Sequence, residues 1–261
     1  MRVICLTEET VETLYAIGVD DAIVGVSGFA VRPPEVRRTK PRVSTYLDAN
    51  FERILELRPD AVFTWSDLQA DIAAELVRRG VEVVCFNQRS VDGIIEMIRR
   101  LGGYMGVRDR ADSYADSLAR GIDAAATEGA RRIAHPRVYF EEWYDPLITG
   151  VRWVSELIEV CGGVDIFAEH RAFPNAKEHI LADPLEPVRR DPDILVASWC
   201  GKTFKPEVVR GRPGWETFRP TLEDELHEIV SPVILQPGPA ALTEGVAAFM
   251  RIFDDWEVKR A

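Results

Sequence analysis

Long apolar runs are missing from this chain of 261 residues. Nowhere do about 18 apolar residues follow one another, so no membrane-spanning helix is read from it. The opening strand, Arg2 to Thr7, runs into Glu8 and Glu9 and lacks the apolar core and small-residue cleavage site of a secretory signal. No export signal is read, and a cytoplasmic location is expected if the chain is complete. Positive charge is also short. Against 43 Asp and Glu stand 32 Lys and Arg, a formal net charge of -11, which disfavours nucleic acid or an anionic membrane as partner.

Cysteine is scarce and scattered. Cys5, Cys85, Cys161 and Cys200 each sit in or beside an apolar run, without a Cys-x-x-Cys pair or zinc-ligand spacing, so all four are expected to be buried free thiols. No Gly-x-Ser-x-Gly occurs, so no hydrolase triad is read. Glu169-His170 and Glu178-His179 hold good metal ligands. Nine residues containing Pro174 cannot set both His on one helical face, and a solvated loop without a metal is expected. Gly201-Lys202-Thr203 lacks the earlier glycine of a phosphate loop, because Val196 stands there inside a strand. Trp199-Cys200-Gly201-Lys202-Thr203 lacks the second Cys of a dithiol site. With no coherent set of acid, base and nucleophile, the chain reads as a binding protein without an intrinsic cofactor.

What the sequence does contain is a rhyme between two segments 133 residues apart, Glu52 to Trp65 and Leu185 to Ser198, with Trp199 one residue beyond. In each, a helical run stops at Pro59-Asp60 or Pro192-Asp193, an apolar strand follows, and a Trp marks the strand's end. Strands that apolar are buried on both faces, as in a parallel sheet, whose ligands bind beyond the carboxyl ends.

Strands and helices alternate along the chain. Strands are predicted at Arg2 to Thr7, Ile23 to Ser27, Ala61 to Trp65, Val81 to Phe86, Val138 to Trp143, Ile194 to Trp199 and Ile229 to Leu235. Ser66-Asp67-Leu68-Gln69 reads as a capping box, and a helix from Val91 is expected to end at Gly102-Gly103. From Asp109 to Arg132 one helical face carries Ala111, Tyr114, Ala115, Leu118, Ile122 and Ala125 without interruption. Twenty residues of helix span ~30 Å, about the width of a small domain. The expected organisation is an α/β lobe over residues 1–106, a bridging helix over 107–133 and a second α/β lobe over 134–261.

The order of Thr7-Glu8-Glu9-Thr10-Val11-Glu12-Thr13-Leu14-Tyr15-Ala16-Ile17-Gly18, Val24-Gly25-Val26-Ser27, Lys40-Pro41-Arg42-Val43 and Arg58-Pro59-Asp60 resembles the N-terminal lobe of the class III substrate-binding proteins of ABC importers. Trp153 to Gly163, Asp191-Pro192-Asp193, Arg212-Pro213-Gly214-Trp215-Glu216 and Pro237-Gly238-Pro239 are similar to its second lobe. Glu141-Glu142-Trp143-Tyr144-Asp145-Pro146-Leu147 most resembles the cobalamin-binding branch.

This resemblance implies two Rossmann-like lobes with parallel-rich sheets, joined by one long helix, and a cobalamin-like corrinoid or similar large metal chelate clamped between them. Axial ligation of its metal by a His stays open. Phe29, Tyr46, Trp65, Trp143, Tyr144, Phe173 and Trp199 are the ligand-contact candidates, because rigid aromatics give broad contact at little rotamer cost. Tyr46, Trp65 and Trp143 lead by family position. The resemblance also implies docking on the importer's membrane subunits through Glu216 and, in the first lobe, Asp67 or Asp71, of which Asp71 is taken, with permease and ATPase subunits as the expected partners. A monomer is expected. The alternatives are a cytoplasmic enzyme or handler of a corrinoid or tetrapyrrole, and a binder of ferric siderophores or metal ions.

Overall fold

The two apolar runs singled out by the repeat become interior strands of two separate sheets. A computed structural model describes residues 1–174 and 176–260. It divides into one unit of Met1–Gln88, Asp92–Leu118 and Pro237–Pro239, and a second of Arg89–Val91, Ala119–Gln236 and the residues from Ala240 onward.

The first unit holds strands β1 (Val3–Cys5), β2 (Ile23–Ser27), β3 (Arg42–Ser44), β4 (Ala61–Trp65) and β5 (Val83–Phe86). Their order is β3-β2-β1-β4-β5, every pairing parallel. β1 and β4 are buried along their whole length, as strands covered on both faces must be. Ile4, Leu6, Ile54, Val62, Ile72 and Leu76 build the core around them. Parallel strands need crossovers, and the helices Glu8–Ala16, Phe51–Glu56 and Ala70–Arg78 supply them.

The second unit holds β6 (Arg137–Tyr144), β7 (Leu147–Thr149), β8 (Val164–Asp165), β9 (Ile194–Ala197) and β10 (Leu226–Glu228) in the order β10-β9-β6-β7, with β8 also on β6. Only the hairpin β6–β7 is antiparallel among the described strands. The helices Arg152–Val160 and Val246–Val258 belong to this unit, the latter entered through a π-helical turn at Ala241–Gly245. The long helix Arg108–Gly129 contributes its residues up to Leu118 to the first unit and the rest to the second.

The repeat has a physical core that the apolar runs alone do not show. Arg2 donates from Nη2 to the Leu57 carbonyl at 2.7 Å and from Nε to the Arg58 carbonyl, while its backbone N–H bonds the Asp60 carboxylate. Arg137 repeats the set, from Nη2 to the Arg190 carbonyl at 2.7 Å, from Nε to Asp191, and from its N–H to the Asp193 carboxylate. Both turns carry a left-handed non-glycine residue, Arg58 and Asp191, each at φ 47. In both copies the Asp N–H returns to the arginine's own carbonyl at 2.7 Å.

Several expectations need correction. Ile229 to Leu235 is no strand: β10 ends at Glu228, and Ser231–Ile234 is a helical turn with Pro232 in its first positions, where a missing N–H cannot extend a ladder. Gly102-Gly103 do not end their helix, which continues to Tyr104. A Cβ on Gly102 would run into that of Ala111, so glycine here permits close packing of two helices, and the left-handed turn falls at Gly106. Of the thiols, Cys5 and Cys161 are buried but Cys85 and Cys200 are exposed, the first on edge strand β5 and the second in the turn beyond β9.

Gly102→Ala is therefore expected to lower stability by about 1–3 kcal/mol through overpacking. Ala111→Gly should recover part of that loss in the double variant. Urea unfolding of the four proteins measures the coupling, and simple additivity would count against the contact.

Candidate functional site

Because the five strands of the first sheet are parallel, their carboxyl ends fall along one edge, and the strand order reverses between β1 and β4. Ligands of open α/β sheets bind at such a reversal. Phe29 follows β2, Tyr46 follows β3 and Trp65 closes β4. Phe29 is 49% exposed, and the loops beyond β3 and β4 add Leu47 at 67% and Leu68 at 48%. Three large apolar side chains thus face water along one sheet edge, where singly exposed ones would need no explanation.

Tyr46 is half-buried, its carbonyl accepting from Gln69 Nε2 at 3.1 Å. Trp65, also a ligand-contact candidate, is enclosed. It is 7% exposed, and its Nε1 donates to the Gln88 carbonyl beyond β5 at 3.2 Å. Parallel pairing with β5 brings that carbonyl within reach. Ser66 turns the chain at φ 61 and ψ 178, a conformation that costs a non-glycine residue on the order of 1–3 kcal/mol. Its Oγ accepts from Leu68 N at 3.2 Å, while Gln69 Oε1 reaches one residue further back than a capping box would, to Trp65 N.

The same edge holds a pair of acids that no aromatic pattern marks. Glu8 and Glu9, which open the helix after β1, are 6% and 1% exposed. Burial pushes the Glu8 carboxyl up to about 7 and Glu9 up to about 8, with Glu8 adding to the rise at Glu9. Oxygen Oε2 of Glu8 and Oε1 of Glu9 find no hydrogen-bond partner, and neither does Oε1 of Gln88. Two adjacent acids in the first turn of the helix that follows an apolar strand were the available signal. Acids there are common because they suit the helix dipole, so the pattern alone does not announce burial.

In the second unit the carboxyl end of β6 carries Trp143 and Tyr144, both half-buried, with ring centroids 5.0 Å apart. Tyr144 lies 4.5 Å from Trp199, and Lys202 Nζ sits 4.7 Å over Trp143 while donating to the Tyr144 hydroxyl at 2.8 Å. Trp199 itself is 2% exposed. Its Nε1 donates to Glu141 Oε1 at 3.0 Å. Arg212 grips both oxygens of that fully buried carboxylate at 2.6 and 2.7 Å and stacks on Trp215. Trp199 therefore serves as the floor of the stack, with Tyr144 and Trp143 above it. Glu142, next along β6, has an enclosed oxygen without a partner and is pushed up to about 7 by burial.

Phe173 belongs elsewhere. Its ring centroid lies 4.9 Å from that of His170 and, edge-on, 5.9 Å from that of His179. Thr149 Oγ1 lies 2.8 Å from His170 Nδ1 and 3.4 Å from His179 Nδ1, so separate helical turns bring together two imidazoles that no single helix face could. Burial lowers the proton affinity of both. Among the described residues no group of three or more His, Cys, Asp or Glu could hold a metal ion. Nor is any described helix long and apolar enough to cross a membrane. Glu216 is exposed, accepting from Gly214 N at 3.1 Å, and such backbone bonds hold its carboxyl below the usual range. Asp71 is exposed in the first turn of the helix Ala70–Arg78.

Residues 3–224 match the family described as Periplasmic binding protein. A vitamin B12-binding protein of Salmonella paratyphi A is 30% identical over 215 residues, which cover 80% of this chain and 77% of that one. Among solved structures, the periplasmic vitamin B12 binding protein BtuF of Vibrio cholerae superposes with a TM-score of 0.78 at 22% identity, covering 98% and 97% of the two chains. The periplasmic heme-binding protein RhuT of Roseiflexus sp. RS-1 gives 0.80 at 22% identity, over 96% and 98%. At those identities the structures speak for the fold.

Arg212→Ala strands a buried carboxylate, so a loss of roughly 3–5 kcal/mol is expected in urea unfolding. The double change Glu141→Leu with Arg212→Met should cost much less, and equal losses would argue against the ion pair as the cause. Glu8 and Glu9 hold their protons more tightly in the folded chain than carboxyls ordinarily do. Their contribution is then complete below about pH 4.5 and is lost as the pH rises toward 8. Glu9→Gln is expected to gain stability relative to the parent between pH 5 and 8, on the order of 1 kcal/mol per pH unit at most. A pH-independent difference would contradict this.

Proposed function

The chain belongs to the periplasmic binding protein family, and we propose that it binds a large, flat corrinoid macrocycle of the cobalamin type as the substrate-binding component of an ABC importer. The similarity to a protein named for vitamin B12 binding over four-fifths of the chain carries this reading. Two features of the strand ends support it. A broad apolar macrocycle needs apolar faces, and Phe29, Leu47 and Leu68 expose such surface along the first sheet's edge. It also gains from rigid aromatic surface, which Trp143 and Tyr144 offer over a fixed Trp199. Lys202 lies over both rings, 4.7 Å from the Trp143 centroid and 5.1 Å from that of Tyr144, and helps to fix them.

Titration calorimetry with cobalamin is expected to give saturable, stoichiometric binding without chemical change to the ligand. Trp143→Ala should weaken it about tenfold or more. Saturation by haem or a ferric siderophore but not by cobalamin would overturn the corrinoid assignment, and conversion of the ligand would overturn the binding role.

A further inference from the structure

We propose that Glu8, Glu9 and Gln88 form an acceptor subsite that takes hydrogen-bond donors from the ligand's edge, selecting a macrocycle edged with primary amides over one edged with carboxylates. The inference rests on the macrocycle-binding reading and specifies which edge chemistry it admits.

Buried polar atoms are almost always hydrogen-bonded, and each exception in a folded protein asks for a cause. Five such exceptions lie in the first unit, the Ser44 and Thr64 hydroxyls on β3 and β4 and three side chains beyond the carboxyl ends of the sheet, Glu8 and Glu9 after β1 and Gln88 after β5. Glu8, Glu9 and Gln88 are 6%, 1% and 7% exposed. The orphaned atoms of these three are oxygens, two of carboxyls and one of an amide. The Gln88 oxygen cannot be exchanged for its nitrogen. Nε2 donates to the Pro237 carbonyl at 3.1 Å, and a carbonyl can only accept, so Oε1 is held on the other side.

The frame around these oxygens is rigid. The Trp65 indole is bonded to the Gln88 carbonyl, and the backbone of Gly238 lies so close to Glu9 that no Cβ fits between them. Glu8 and Glu9 open a nine-residue helix, which fixes their backbones. The second half of the chain ends its corresponding strand, β6, on Trp143 and Tyr144, where the first places these acids in the helix that follows β1.

A ligand suited to three acceptors must bring N–H or O–H groups. Primary amides do so without net charge. A neutral carboxyl can also close a two-bond ring with an amide, accepting from its N–H and donating to its C=O, and burial favours that neutral form at Glu8 and Glu9. A carboxylate edge would instead bring further negative charge against two enclosed acids, where screening by solvent is weak.

Dicyanocobinamide and dicyanocobyrinic acid share a macrocycle and axial ligands and differ in carrying edge amides or edge carboxylates. Calorimetry at pH 7 is expected to show the amide form binding at least about tenfold tighter, and the preference should persist in 0.5 M salt, which screens the long-range field of an acidic protein. Glu8→Gln and Glu9→Gln should each raise affinity for the acid form severalfold, narrowing the ratio, whereas Glu207→Gln, at an exposed acid, should leave it unchanged. Equal binding of the two forms by the parent overturns the proposal, as does a preference that high salt abolishes or that neither buried variant alters. If neither corrinoid binds, the macrocycle reading fails first and the subsite falls with it.

Discussion

Both sheets are registered by one arrangement that the chain uses twice: an arginine at the head of an interior strand, bonded to the carbonyls of the turn that precedes its parallel neighbour, with an aspartate returning the bond. Strands buried on both faces have no polar side to tell one register from the next, so apolar burial alone would tolerate slippage. The clamp settles the register at the amino ends. Once Val3 faces Ala61 and Val138 faces Ile194, the opposite ends of these strands also align. Residues distant in sequence then arrive together: Trp65 against Gln88 in one unit, Glu141 against Trp199 and Arg212 in the other.

The clamp also explains which parts of the structure were legible in the sequence. The turns Arg58-Pro59-Asp60 and Asp191-Pro192-Asp193 stand out because proline and aspartate punctuate apolar strands, and the strands behind them are placed to within a residue or two. The long helix was legible for the same reason, its apolar stripe running without a break. Short elements were not. β7 and β8 have three and two residues, too few for a period to register, and they exist because β6 offers them an edge.

The candidate site was legible in kind but not in detail. Aromatics at strand ends were visible as a pattern, and Phe29, Tyr46, Trp143 and Tyr144 do stand at the carboxyl ends of their strands. Whether an indole faces water depends on its partner, and the partners of Trp65 and Trp199 are 23 and 58 residues away. The buried acids were harder still. Glu141 reads as one of two acids in a polar stretch, yet its neighbour in space is Arg212, and only the fold makes them a pair. Glu8 and Glu9 look like ordinary first-turn acids until the fold buries both, with the Gly238 backbone closing over Glu9.

Of the six tryptophans, Trp65, Trp153, Trp199, Trp215 and Trp256 are buried, leaving Trp143 as the one indole with appreciable surface in water. A dissolved collisional quencher such as acrylamide would extinguish the long-wavelength emission of that single ring and leave a shielded, blue-shifted background from the other five. The chain thus carries its own one-position optical reporter, and anything that settles on the β6 strand end shades it.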